Sequence, residues 1–229
     1  MNEKNYTDLI KAHKILKSEP RGILYDEYMK CRDVESWFRS GDVPMKEIFL
    51  LFGFILGWQP QFQGAPEKFR EIYKEIFPNL KGFRESKLID IELTETIQKC
   101  IADIFDEVAQ CTRIERGGKR RYESTGASKI LHVLIPELFV TWDMAIRRKV
   151  LDKRDKKKDG NAYAFEFLPK MQEELREMVD YGKADYQTII DEISKETDRY
   201  TLAKVLDEFN YVRYTLGKSL EEIRDYCFQ

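Results

Sequence analysis

Lys129, His132 and Asp143 are the residues of this sequence whose types and spacing best suit chemistry. All three lie in STGASKILHVLIPELFVTWDMAIRRK, residues 124–149. The pattern predicts a short apolar helix over residues 127–135, ended by Pro136, in which Lys129 and His132 share a face. Asp143 stands at the N-cap position of a second, arginine-rich helix.

The amine of Lys129 can act as a nucleophile only in its neutral form. We expect Lys129 in the first turn of its helix, where the helix dipole destabilises the ammonium. Lowering its pKa from about 10.4 to about 7.5 requires roughly 4 kcal/mol. The dipole supplies only about 0.3–1 kcal/mol, so burial must supply most of the shift. Without further evidence, Lys129 is also typical of a solvated lysine on a helix. His132 is likewise typical of a histidine that lies on a helix face without binding a ligand.

The composition excludes several classes of protein. With 42% hydrophobic and 35% charged residues, the chain is neither disordered nor embedded in a membrane. Its longest apolar run, residues 48–58, is shorter than the roughly 20 residues that span a bilayer, and the first residues lack an apolar signal core. We therefore expect a cytoplasmic protein. Four cysteines without a C-x-x-C spacing and only two histidines predict neither a disulfide framework nor a metal site, and we expect no cofactor.

Charge is distributed unevenly along the chain. Residues 113–158 contain 14 basic and 6 acidic residues, about +8, whereas the whole chain carries −2, which leaves about −10 for the remainder. A basic region on an acidic body suits a polyanion such as DNA. A lysine-rich, solvated loop is the alternative interpretation.

Hydrophobic periodicity predicts an all-α fold. We expect a bundle of about ten helices forming one domain over residues 1–229, or two interleaved lobes with a cleft, with a basic hairpin and loop at residues 113–160. The helix over residues 45–56 is apolar nearly all round, which predicts a buried helix at the centre of the core. The other helices are predicted at residues 6–17, 24–39, 67–77, 94–111, 162–181, 186–195, 201–214 and 219–227. Residues 88–93 fit either a short strand or the start of a helix, of which we favour the helix.

The most loop-like stretch is WQPQFQGAP, residues 58–66. Its aromatic and amide side chains could stack on a flat ligand and hydrogen-bond its edge. Trp58, Phe62 and Gln63 are therefore candidate substrate-binding residues. The alternative is that the aromatic rings simply pack on the core.

The central stretch resembles the helix-hairpin-helix DNA glycosylases. The resemblance rests on G-A-S-K, an apolar helix, a proline and an aspartate five residues before an arginine, Asp143 and Arg148. More narrowly, the stretch is similar to the lysine-bearing, 8-oxoguanine-type members and to uncharacterised relatives of these, and the resemblance covers about 25 of the 229 residues. In that family a lysine attacks the deoxyribose C1′ and an aspartate assists. The resemblance thus implies that Lys129 and Asp143 are catalytic.

The resemblance also implies a set of DNA contacts. Backbone amides of the hairpin bind phosphate in the family, which corresponds here to Thr125, Gly126, Ala127 and Ser128. The neighbouring arginines are the remaining phosphate-binding candidates: Arg120, Arg121, Arg147 and Arg148. His132 and Trp142 join the candidate substrate-binding residues.

The implied activity is excision of a modified base from DNA, with or without cleavage of the resulting abasic site, by a protein favoured to be a monomer. Which base is removed is not indicated. Two alternatives stay open: a non-catalytic nucleic-acid-binding relative, and a helical protein-interaction module.

Overall fold

The computed structural model describes residues 6–112, 122–151, 159–181, 188, 191, 195 and 201–226. Helices dominate this part of the chain, and it contains no β-strand beyond one isolated bridge between Gly64 and Thr112. The first eight helices are α1 (Tyr6–Lys17), α2 (Pro20–Cys31), α3 (Val34–Ser40), α4 (Met45–Trp58), α5 (Pro66–Gly82), α6 (Glu95–Ala109), α7 (Ser124–Leu134) and α8 (Met144–Leu151).

Two further helical stretches contain a π-helical turn. The short α9 (Gly160–Ala162) continues through a π-helical turn (Tyr163–Phe167) into α10 (Leu168–Tyr181). Likewise, α11 (Leu202–Asn210) runs into a π-helical turn (Tyr211–Thr215), and α12 (Leu220–Arg224) follows. Such turns shift the side chains that follow them to a different helix face and are frequent at functional sites. The all-helical prediction is confirmed for the described residues.

The helix α7 is largely buried by its neighbours. It contacts α6 and α4, and α11 packs against α1 and α10. Eight of the eleven residues of α7 are buried, so its polar residues must find partners inside the protein. The end of α7 at Leu134, before Pro136, agrees with the predicted helix.

The helix α4 differs from the prediction of a fully buried helix. One face packs on the core through residues such as Ile48, Leu51 and Ile55. The opposite face is in solvent, with Phe49 58%, Leu50 46% and Leu56 41% exposed. An apolar pattern around the whole helix predicted burial, but α4 has neighbours on one side only in the described part of the chain.

Several predicted boundaries also differ. The helix predicted over residues 24–39 is two helices, because Asp33 accepts a hydrogen bond from the Ser36 amide and caps α3. The helix α5 continues through Pro78 to Gly82, and residues 88–93 form turns and irregular chain rather than a helix. The basic hairpin and most of residues 152–161 and 186–195 lie outside the described residues. No described helix is long and apolar enough to cross a membrane.

Candidate functional site

The helix α7 places Lys129 at the edge of the core. Its neighbours Ser128 and Ile130 are fully buried, whereas Lys129 itself is partly exposed. The Lys129 Nζ lies 5.4 Å from the centroid of the Trp58 ring, a distance at which a cation is attracted to the ring face. Because α7 begins at Ser124, Lys129 lies in the second turn rather than the predicted first turn, so the helix dipole acts on it less.

Burial lowers the pKa of Lys129 from its ordinary value of 10.5 to about 8. The negative charges of Asp207 and Asp143 oppose this shift, and the positive charges of Arg21 and Lys204 add to it. At a pKa of about 8, about one Lys129 amine in ten is neutral at pH 7, compared with about one in three thousand at 10.5. The expected cause, burial rather than the dipole, is the main one in the structure.

Beneath Lys129, α11 carries a buried group of charges. The Lys204 Nζ lies 2.9 Å from Asp207 and 3.6 Å from Glu208, and all three side chains are at most 4% exposed. Lys204 also lies 4.1 Å from the ring centroid of Tyr25. Burial favours the neutral amine of Lys204, but the two carboxylates outweigh burial and raise its pKa, so Lys204 is a buried cation.

Two histidines complete the polar interior. The His13 Nδ1 lies 2.6 Å from Glu208. The His132 Nδ1–H donates to the Phe139 carbonyl at 2.6 Å, so its Nε2 accepts from the Tyr25 hydroxyl at 2.9 Å. Burial, together with the Lys204 charge, lowers the pKa of His132 to about 4, so its ring is neutral.

Asp143 caps α8, as its position in the sequence predicted. Its Oδ1 accepts hydrogen bonds from the amides of Ala145 at 2.7 Å and Ile146 at 2.9 Å, and its Oδ2 accepts from the Thr215 hydroxyl. The residues that precede Lys129 and Asp143 are bonded to each other, because the Ser128 hydroxyl accepts from the Trp142 amide at 3.2 Å. The start of α8 is thereby held beside α7.

A small pocket joins these groups. It has about 20 Å³ of free space, enough for one water molecule and too little for a nucleobase. The pocket is lined by Tyr25, Phe54, Trp58, Lys129, His132, Thr141, Lys204 and Asp207. Asp143 is not among the lining residues, although its charge acts on Lys129.

The candidate substrate-binding residues are divided between this pocket and the core. Trp58 and His132 line the pocket, and Gln63 is exposed outside it. Phe62 is only 5% exposed and packs against Phe52, with their ring centroids 5.1 Å apart. Phe62 thus follows the alternative in which the ring packs on the core.

Trp142 also lies elsewhere than predicted. It is 1% exposed and packs among Phe105, Tyr163 and Phe167. A ring surrounded by other rings has no face available to a substrate. Trp142 is therefore a core residue, and the prediction that it contacts substrate does not match its position.

The predicted phosphate-binding turn is part of α7 and is closed. Thr125, Gly126 and Ser128 are already helical, and a Cβ at Gly126 would lie 2.6 Å from Phe62, so that ring covers the helix there. Two carboxylates lie at the start of α7: Glu123, which is buried, and Asp159. They already supply negative charge at the positive end of the dipole, which disfavours a phosphate at this position.

The arginines predicted to bind phosphate also lie in different surroundings. Arg147 is paired with Asp159, and its side chain is 12% exposed, so it acts inside the protein. Arg148 is exposed on α8. Arg120 and Arg121 lie outside the described residues. Of the four predicted arginines, Arg148 alone is both described and exposed.

Sequence reasoning missed the charges of α11. Lys204, Asp207 and Glu208 have the spacing i, i+3 and i+4, which places them on one helix face. That spacing is also usual on a solvated face. The signal that could have distinguished a buried charge group from a solvated face is the surrounding sequence, KVLDEF, in which apolar residues are interleaved among the charges.

Comparison of the chain with protein-family models, curated proteins and solved structures gives no significant match. Within the described residues, no group of three or more histidine, cysteine, aspartate or glutamate side chains could hold a metal ion. The chemistry of the site therefore has to be argued from Lys129 and its neighbours.

Proposed function

We propose that this chain is a DNA N-glycosylase of the helix-hairpin-helix type, with Lys129 as its nucleophile. The observation that carries the proposal is the Lys129 amine, whose pKa burial lowers to about 8, beside an aromatic ring and within the field of two carboxylates. An amine kept partly neutral is the requirement for attack on a sugar carbon.

The proposed chemistry is a displacement at C1′ of the deoxyribose. The neutral Lys129 Nζ forms a bond to C1′ while the bond from C1′ to the base nitrogen breaks, and the base leaves with that electron pair and takes a proton from solvent. The nitrogen then loses a proton, O4′ gains one as the sugar ring opens, and a Schiff base remains. The Asp143 charge stabilises the cationic character that develops at the sugar.

Access to Lys129 requires the pocket to widen. Trp58 forms one wall, and its ring packs against Tyr211 with centroids 5.7 Å apart. The Arg21 guanidinium in turn hydrogen-bonds the Tyr211 hydroxyl. An extrahelical nucleotide would displace Trp58 from the Lys129 amine and stack in its place. Arg148 and Lys149, exposed on α8 directly after Asp143, are suited to the flanking phosphates.

The decisive experiment is borohydride trapping. The wild-type chain is incubated with duplexes that carry an oxidised, alkylated or deaminated base or an abasic site, and sodium borohydride reduces any Schiff base to a stable adduct. We expect an adduct with at least one duplex, and none with Lys129→Gln. The matched control is Lys81→Gln, a lysine exposed on α5, which should form the adduct like the wild type. Failure of the wild type on every duplex contradicts the proposal.

A non-catalytic nucleic-acid-binding protein is the second candidate, because the pocket is too small for a nucleobase and Asp143 already accepts three hydrogen bonds. It predicts binding without trapping, weakening steeply with added salt. The exposed apolar residues of α4 favour the third candidate, a protein-interaction module, which predicts no DNA binding even at low salt.

A further inference from the structure

The two carboxylates that act on the Lys129 amine come from different elements and have different surroundings. Asp143, at the start of α8, accepts two backbone amides with Oδ1 and the Thr215 hydroxyl with Oδ2. A carboxylate oxygen has two lone pairs, so both sites of Oδ1 are occupied. Asp143 is thus committed to holding α8, and it does not line the pocket.

Asp207 lines the same pocket as Lys129. Its Oδ1 accepts from the Thr141 hydroxyl and its Oδ2 from the Lys204 ammonium at 2.9 Å, which leaves one lone pair on each oxygen. The free space between these groups has the size of one water molecule. Asp207 therefore has both the acceptor capacity and a route to the amine.

Resting on the proposed function, we propose that Asp207 takes the proton from the Lys129 nitrogen through one water in the pocket that both side chains line, and that Asp143 serves as helix cap and fixed negative charge. After attack, the nitrogen bonded to C1′ is a secondary ammonium. It gives one proton to the Asp207 carboxylate. Asp207 then gives that proton to O4′ as the C1′–O4′ bond breaks, and the nitrogen lone pair forms the C=N bond of the protonated Schiff base.

The buried Lys204 explains how Asp207 can do this. The Asp207 carboxylate is only 3% exposed, and the Lys204 ammonium, which donates to its Oδ2 at 2.9 Å, compensates its buried negative charge. Lys204 and Lys129 both face the Trp58 ring, at 5.5 and 5.4 Å. A full positive charge on the Lys129 nitrogen is repelled by Lys204 and by Arg21, which favours its loss of a proton to Asp207.

The two carboxylates offer a matched pair of tests, because each accepts a hydrogen bond from one partly buried threonine. Thr141→Val removes the hydroxyl from Asp207, and Thr215→Val removes the hydroxyl from Asp143, with nearly the same change of shape. We expect Thr141→Val to slow borohydride-trapped adduct formation about tenfold or more at unchanged DNA affinity. Thr215→Val should slow it clearly less, and Thr141→Ser should restore the rate.

A second readout does not need DNA. The lysines are reductively methylated with ¹³C-formaldehyde, and the NMR titration of Lys129 is identified by its absence in Lys129→Gln. Removing a nearby negative charge should lower the titration midpoint, and we expect about one pH unit or more for Asp207→Asn and less for Asp143→Asn. If Asp207→Asn does not fold, Thr141→Val and Thr141→Ser carry the comparison.

The outcomes separate the two proposals. A wild type that forms no adduct with any duplex overturns the proposed function, and the proton transfer falls with it. A wild type that forms the adduct, with Thr141→Val unimpaired or Thr215→Val impaired more strongly, overturns the role of Asp207 alone. If Asp143→Asn shifts the titration midpoint of Lys129 as much as Asp207→Asn or more, the role of Asp207 is also overturned.

Discussion

Replacing Lys129 by methionine should make the protein more stable at neutral pH, because the site holds an ammonium in surroundings that disfavour it. The difference between the ordinary pKa of 10.5 and about 8 corresponds to about 3 kcal/mol of unfolding free energy. Attraction of the ammonium to the Trp58 ring offsets about 1 kcal/mol of this cost. We therefore expect Lys129→Met to gain about 1–3 kcal/mol at pH 7.

The pH dependence gives this prediction its sharpest form. Below pH 8 the amine is charged in both the folded and the unfolded chain, so the full cost is present. Between pH 8 and 10.5 the folded protein loses the proton while the unfolded chain still holds it. The stability of the wild type should therefore rise toward that of Lys129→Met across this window.

Urea unfolding followed by circular dichroism at pH 7, 9 and 10.5 measures the difference at each pH. The control is Lys81→Met, exposed on α5, which should change stability by no more than about 0.5 kcal/mol at any of these values. A gap between wild type and Lys129→Met that stays constant with pH would refute the lowered pKa. A less stable variant at pH 7 would refute the burial cost itself.

Three further predictions concern the interior around Lys129. Lys204→Met should lower the unfolding free energy by about 3–5 kcal/mol in thermal unfolding, because the buried carboxylates lose the ammonium that compensates their charge. Adding Asp207→Leu should recover part of this stability, and a double variant without recovery would contradict the explanation. As pH falls from 6.5 toward 4, the unfolding free energy of the wild type should fall by up to about 3 kcal/mol, because His132 takes up a proton in the unfolded chain but stays neutral in the folded protein. Urea unfolding should show a flatter pH dependence for His132→Phe. Gly126→Ala should lower the unfolding free energy by about 1–3 kcal/mol in the same assay, and Phe62→Leu should partly restore it, because the added methyl group meets the Phe62 ring. Unchanged stability of Gly126→Ala would show that the ring moves aside.

Much of the helical organisation follows from local sequence patterns. Both ends of α1, the C-terminal end of α7 before Pro136 and the capping role of Asp143 agree with the predictions, because caps, proline and periodicity act over a few residues. The start of α7 does not, since it lies at Ser124 rather than at residue 127. The choice of Lys129 as a residue with a lowered pKa also agrees with the structure, since an apolar helix around a lysine already indicates burial.

Tertiary structure decided what lies beside Lys129. The side chains of α11 reach it from about 75 residues away in sequence, and no local pattern shows which helix will cover a given face. The same reason explains why the rings of Phe62 and Trp142 lie in the core and why one apolar face of α4 is in solvent. Periodicity states that a face is apolar, whereas only the packing of distant helices determines whether that face, or a charge on it, is buried.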